Sequence, residues 1–333
     1  MTSRHRIWVE RDGARIALAR WGEASSAKPP ALLIHGTGFV GEVWEEAASA
    51  LASRYTVYAL DRRGHGASHK PASDRYHFLD FAQDVCTVVE TLDLSGIFGI
   101  GHSAGATDLL LAARLLPQRF SRLFVMEPTV MDPRAHRIGG ARLSEKGTSF
   151  VHGVLRRQIE FDSAAAAFQR FRAAPAFADW SERALRAYVQ HGFSPLPDGR
   201  VRLLCLPEIE SAMLLPILEA MEQVYSGDER GNPFTYLSEI DCPVRVATAE
   251  RSWSIYKEMA ARAVALIPVV SEWTFEAVGH CVAQEASALL VQALETFNAR
   301  ASQTARWPRV MACSWAYRCA SQSRDRHRLP AGA

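Results

Sequence analysis

A chain of 333 residues, 48% apolar and 22% charged, can bury one large core or two smaller ones. Its net charge of +2 is set at the end: from Arg300 onward seven arginines face one acid, Asp325, while the rest carries 31 basic and 35 acidic side chains, no basis for binding nucleic acid. No apolar run approaches a membrane span, Met1 to Trp8 lacks the apolar stretch of a secretion signal, and six cysteines without paired spacing suggest neither a disulfide framework nor a zinc site, so a reducing, cytoplasmic location is expected.

In chain order, Arg6–Glu10 and Arg15–Ala19 flank Asp12-Gly13, a hairpin signal. Pro30–Ile34 is a short apolar strand that ends at His35-Gly36-Thr37-Gly38. A helix around Trp44–Ser53 follows, then the strand Tyr55–Leu60, which runs into Asp61-Arg62-Arg63-Gly64-His65-Gly66-Ala67-Ser68. Leu79–Leu92 has helical apolar spacing, Gly96–Ile100 is apolar and extended, Thr107–Ala113 is helix-like, and Arg122–Met126 is a strand closed by Glu127-Pro128. Strands alternating with helices imply a mostly parallel sheet covered on both faces.

That rhythm stops after Pro128 and resumes near Cys242. The interval reads as helical, with a capping box Asp179-x-x-Glu182 before Ala184–Val189, a stop at Gly192, a turn at Pro197-Asp198-Gly199 into a short extended piece, and a helix over Glu208–Val224. A helical insertion at this point would lie over the carboxyl ends of the strands, where such sheets bind ligands. A strand at Val244–Ala249, a helix at Ser254–Ala265, a strand at Ser271–Glu276, Gly279-His280 and a helix at Ala286–Phe297 complete the pattern. The expected organisation is a core over 1–130 and 239–299, a helical cap over 131–238, and a basic, disordered tail over 300–333.

Between the strand at 96–100 and the helix at 107–113 stands Gly101-His102-Ser103-Ala104-Gly105. A G-x-S-x-G pattern between strand and helix describes a sharp turn that holds up a serine hydroxyl as a nucleophile. Strained backbone at the serine brings strand and helix close, and glycine two positions to either side removes the collision. Serine needs a base, and His280, on the loop after a late strand, is the best candidate. The N–H of Ala104, at the helix N-terminus, is one candidate oxyanion donor.

The order of the His-Gly loop, Asp-Arg-x-Gly-His-Gly-x-Ser, Gly-His-Ser-x-Gly, insertion and late Gly-His resembles the α/β-hydrolase superfamily over about residues 5 to 299. The resemblance implies an α/β fold with an eight-stranded, mostly parallel sheet flanked by helices and a cap inserted after the sixth strand. It implies His280 as base, Thr37 as the second oxyanion donor, and His35, His65 and His102 as loop-ordering residues. Serine at the elbow argues against the epoxide hydrolase and dehalogenase branches, which use a carboxylate nucleophile there.

The acid departs from the family's pattern. Where members carry Gly-x-x-Asp after the strand that follows the cap, this chain reads Ala249-Glu250-Arg251-Ser252. Glu127, at the end of the strand before the cap, is the preferred replacement, with Glu250 the alternative and Asp108 and Asp61 behind them. The expectation is a serine hydrolase that cleaves a carboxylic ester of a small, partly apolar molecule through an acyl-enzyme, with no cofactor and no metal. Lactone, thioester or carbon–carbon bond hydrolysis, or an inactive ligand-binding homologue, remain alternatives. Aromatic residues of the insertion (among them Phe150, Phe171, Phe177, Trp180 and Tyr188) suggest a greasy substrate group or serve as packing.

Overall fold

β1 (Arg4–Arg11) and β2 (Ala14–Trp21) form the hairpin, with Asp12 and Gly13 both at positive φ, 51° and 75°, as a two-residue turn with the twist of its strands requires. The computed structural model describes residues 4–23, 28–71, 75–130, 152–225 and 232–303; the tail from 304 and the segment 131–151, which includes Phe150, lie outside them. After the hairpin come β3 (Pro30–Ile34), α1 (Glu45–Leu51), β4 (Thr56–Leu60), α2 (Phe78–Thr91), β5 (Ile97–His102), α3 (Ala104–Leu115) and β6 (Phe120–Met126). The eight-stranded sheet has the order β1-β2-β4-β3-β5-β6-β10-β11, with β10 (Val244–Ala249) and β11 (Val270–Phe275) at the far edge. Only the hairpin and the β2–β4 pairing are antiparallel.

Both faces of this sheet are buried, and the alternation of side chains divides the core in two. Leu33, Val57, Ala59, Phe98, Ile100 and Phe124 lie in one apolar cluster, while Leu32, Ile34, Leu60, Ile97, Leu123 and Val125 lie in the other. The first cluster continues into α8 (Ser287–Gln303) through Leu290, Leu294 and Phe297; the second takes in α2, α3 and α7 (Ser254–Leu266). No helix of the described residues is long and apolar enough to cross a membrane.

Between β6 and β10 the described residues hold β7 (Glu160–Phe161), α4 (Ala164–Arg172), α5 (Glu182–His191), β8 (Phe193–Pro195), β9 (Val201–Leu203) and α6 (Pro207–Tyr225). The interval is thus not wholly helical: β7, β9 and β8 pair as a small antiparallel sheet, with β8 and β9 joined by a turn in which Gly199 adopts φ +87°. The start of α5 also differs from the capping box. Ser181 is the N-cap and its Oγ accepts from the Ala184 N–H at 3.1 Å, which leaves Asp179 to pair with Arg251 at 2.9 Å. The insertion's aromatic residues pack on one another: Phe177, Trp180 and Tyr188 surround Phe39 of the core, and Phe171 packs on Phe177 and Tyr188, with ring centroids 4.8–6.5 Å apart.

Strand order reverses at β3, whose neighbours are β4 on one side and β5 on the other. Such a switch opens a crevice at the carboxyl ends of the two strands. β3 and β5 pair with Ile34 opposite Gly101, so the His35 loop and the Ser103 turn leave the sheet side by side.

Candidate active site

Ser103 sits between β5 and α3 with φ 53° and ψ −124°, a conformation that costs about 1–3 kcal/mol in a non-glycine residue. Its N–H donates to the Met126 carbonyl at 2.8 Å, which anchors the turn to β6. A Cβ on Gly101 would lie 2.6 Å from Ala106 Cα, and one on Gly105 would lie 2.4 Å from the His35 carbonyl oxygen. Both flanking glycines are therefore demanded by contact. The first residue of α3 is Ala104, whose N–H is among those that no helical carbonyl satisfies.

The loop after β3 lies directly on this turn. A Cβ on Gly36 would meet His102 Nδ1 at 3.1 Å and Ser103 Cβ at 3.2 Å. Two neutral histidines hold the loop. His35 donates from Nδ1 to the Gly36 carbonyl at 2.7 Å and accepts the Arg62 N–H on Nε2 at 3.1 Å. His65 accepts the Gly38 N–H on Nε2 at 2.9 Å and faces the Arg63 carbonyl with Nδ1 at 3.0 Å. Burial pushes His35 down to about 3 and His65 well below its ordinary 6.5, so both remain uncharged.

Asp61 and Asp108, the remote acid candidates, are engaged elsewhere. Asp61 accepts the N–H groups of Gly41 at 2.7 Å and Ala67 at 2.9 Å, and the Arg6 guanidinium at 2.9 Å. Asp108 takes both arms of a buried Arg62, at 2.5 and 3.2 Å, and the same guanidinium lies over the Phe81 ring and reaches Thr37 Oγ1 at 3.3 Å. This fork ties the elbow helix to the Thr37 loop, a link that no local sequence pattern signals.

The carboxylate of Glu127 is brought to His280. Glu127 directly follows β6, adopts φ +46°, and is fully buried. Its Oε1 accepts the Ala249 N–H at 2.9 Å; its Oε2 accepts the Ser252 hydroxyl at 2.6 Å and is hydrogen-bonded to His280 Nδ1. Glu250 is not at the imidazole: its Oε2 accepts the Ala277 N–H at 2.7 Å and so fixes the loop leading to His280. The His280 carbonyl accepts from His102 Nε2 at 2.8 Å, which fastens that loop to the residue before Ser103. Neighbouring Cys281 is buried, and desolvation pushes its thiol up to about 12, which leaves no reactive thiolate.

Ser103 is half-buried, and its Oγ makes no hydrogen bond among the described residues. Serine–imidazole contacts often tighten only when substrate arrives. Two participants escaped the sequence reading. Ser252 drew notice only as the residue in place of an aspartate, and Tyr256, whose ring stacks on the His280 imidazole at 4.0 Å and 16°, drew none.

This arrangement, a serine on a strained strand-to-helix turn at the switch of a mostly parallel sheet, defines an α/β hydrolase. A family model for the alpha/beta hydrolase fold matches residues 29–285, and the chain belongs to that family. It is similar to the non-heme chloroperoxidase CPO-A1 of Kitasatospora aureofaciens, 36% identical over 104 residues, 31% of this chain and 36% of that one. The chain spans between 28% and 44% of the length of the curated relatives it matches. Among solved structures, E-2-(acetamidomethylene)succinate hydrolase superposes with a TM-score of 0.70 at 20% identity, covering 89% of this chain and 100% of that one. The thioesterase domain of the curacin biosynthetic pathway gives 0.70 at 23%, covering 88% and 99%. At these identities the structural likeness speaks for the fold alone.

Proposed function

We propose that the protein is a serine hydrolase that cleaves an ester or a related acyl bond of a small molecule through an acyl-enzyme. The observation that carries this reading is the hydrogen bond between Glu127 and His280, 153 residues apart in sequence, on the loop that His102 fastens beside Ser103. Ser103 Oγ attacks the acyl carbon as His280 Nε2 takes its proton, and the carbonyl electrons move to oxygen. The N–H groups of Ala104 and Thr37 stabilise that oxyanion; one such donor is typically worth about 3–4 kcal/mol in the transition state. His280 then gives its proton to the leaving oxygen. Water, deprotonated by the same imidazole, releases the acid and restores Ser103. Glu127 keeps Nδ1 protonated, so that Nε2 is the basic nitrogen, and offsets the imidazolium charge. The described part of the insertion, residues 152–225, serves in this reading as a cap over the site, packed on Phe39.

A fluorophosphonate probe tests the nucleophile: the native protein should be labelled and Ser103→Ala should not. An unlabelled native protein, or equal labelling of the variant, sinks the reading. The similar folds include a hydrolase of E-2-(acetamidomethylene)succinate and a thioesterase domain. A panel of short aryl esters, lactones and thioesters assigns the bond.

A further inference from the structure

Glu127 sets an unusual demand on its surroundings. A fully buried carboxylate needs fixed donors to stay charged, and the imidazole it serves must keep one orientation. Both needs are met from one short stretch: the end of β10, the turn after it and the first turn of α7. Ser252 donates its hydroxyl at 2.6 Å to Oε2, the same oxygen that holds His280 Nδ1. With Ala249 N–H on the other oxygen, rotation of the carboxylate would break all three bonds together. Both added donors therefore hold the carboxylate in one orientation. Four residues on, Tyr256 lays its ring almost parallel to the imidazole, 4.0 Å away. An aromatic face in that place excludes water from one side of the ring and favours the imidazolium that forms during reaction. Trp253 stacks on Tyr256 at 5.9 Å and 14° while being 66% exposed, which gives this outward indole a supporting task.

We propose that residues 252–256 form a brace for the Glu127–His280 pair: Ser252 and Tyr256 are positioning residues, the first acting through the carboxylate and the second through the imidazole. The inference rests on the serine hydrolase reading, and its test separates the two. Ser252→Ala, Ser252→Thr, Tyr256→Leu and Tyr256→Phe are compared in the full chain, on an aryl ester that the native protein cleaves. Loss of a hydrogen bond to a charged group is worth about a factor of ten or more, so Ser252→Ala should lower kcat by about 10-fold or more with KM within about twofold. Tyr256→Leu should also lower kcat selectively. Ser252→Thr, which keeps the hydroxyl, and Tyr256→Phe, which keeps the ring, should return towards the native rate. Unchanged kcat in both truncations, or a threonine variant as slow as the alanine one, overturns the brace.

The low-field proton resonance of His280 Nδ1–H gives a readout that needs no turnover. It should shift or broaden in Ser252→Ala and persist in Ser252→Thr; an identical resonance in native protein and Ser252→Ala overturns the proposal. A native protein that neither cleaves esters nor reacts with the fluorophosphonate probe overturns the hydrolase reading instead, while the resonance still decides the brace.

Discussion

Glu127 combines positive φ, complete burial and a negative charge, each of which opposes folding by itself. Its three hydrogen bonds offset that cost, and all of them depend on its being a carboxylate or at least an acceptor. Glu127→Gln turns an NH2 towards Ser252 or His280 and removes the charge that fixes the imidazole tautomer. By analogy with aspartate-to-asparagine replacement in a serine triad, kcat should fall by about 10⁴-fold with the fold retained, as steady-state kinetics and a thermal melt would show. Glu250→Gln loses only part of the bond to the Ala277 N–H and should leave kcat within about threefold. Equal losses in the two variants would reverse the assignment. Glu127 was legible as a candidate because it ends a strand directly before the insertion. The hydroxyl of Ser252 was not, because its meeting with Glu127 depends on the β6–β10 register, in which Met126 faces Ala247. Asp179 misled for a local reason: two residues nearer the helix, Ser181 already supplied the capping oxygen.

At the scale of elements, the site depends on how closely the loop after β3 rests on the elbow. Gly36→Ala brings a methyl group within 3.2 Å of Ser103 Cβ and 3.1 Å of His102 Nδ1, which in the proposed reaction would push the Thr37 N–H away from the oxyanion. We expect kcat/KM to drop by about 10–100-fold with little change in melting temperature, since a displaced donor forfeits much of its transition-state contribution. The buried Arg62–Asp108 pair is structural in a different sense. Asp108→Asn leaves a guanidinium with no counter-charge in a dry place, and urea denaturation should register a loss of about 3–5 kcal/mol. A loss below about 1 kcal/mol would mean that water reaches the arginine. The large parallel strands were readable because their apolar runs are continuous and end at motif loops. The strands of the small sheet have two or three residues each, too few for a period to register, and their pairing rests on the turn at Gly199.

Across the described residues of the molecule, His35, His65 and His102 are buried and uncharged, all held far below the ordinary value chiefly by desolvation. Unfolded, each takes up a proton near pH 6.5; folded, His35 does so only at about 3. The unfolded chain thus binds more protons in this interval, so their stabilising effect is complete above about pH 7 and is lost progressively as pH falls. Between pH 7.5 and 5.5 the three together should lower the unfolding free energy by about 4 kcal/mol, measurable by urea titration at the two pH values. Asp61, Asp108 and Glu210, which burial raises, act in the opposite direction, so the histidine contribution is read as the difference between the native protein and His65→Gln at the two pH values. The sheet order has a further consequence, for synthesis on the ribosome. Ser103 and Glu127 emerge on β5 and β6 long before β10, the strand that pairs with β6, and every partner of the Glu127 carboxylate lies at Ala249 or later. Until the last quarter of the chain appears, β6 is an open edge and Glu127 a charge without a place, so a nascent fragment is inert and invites edge-to-edge association. Addition of β10 and β11 closes the edge and brings the Glu127 carboxylate its partners in one step.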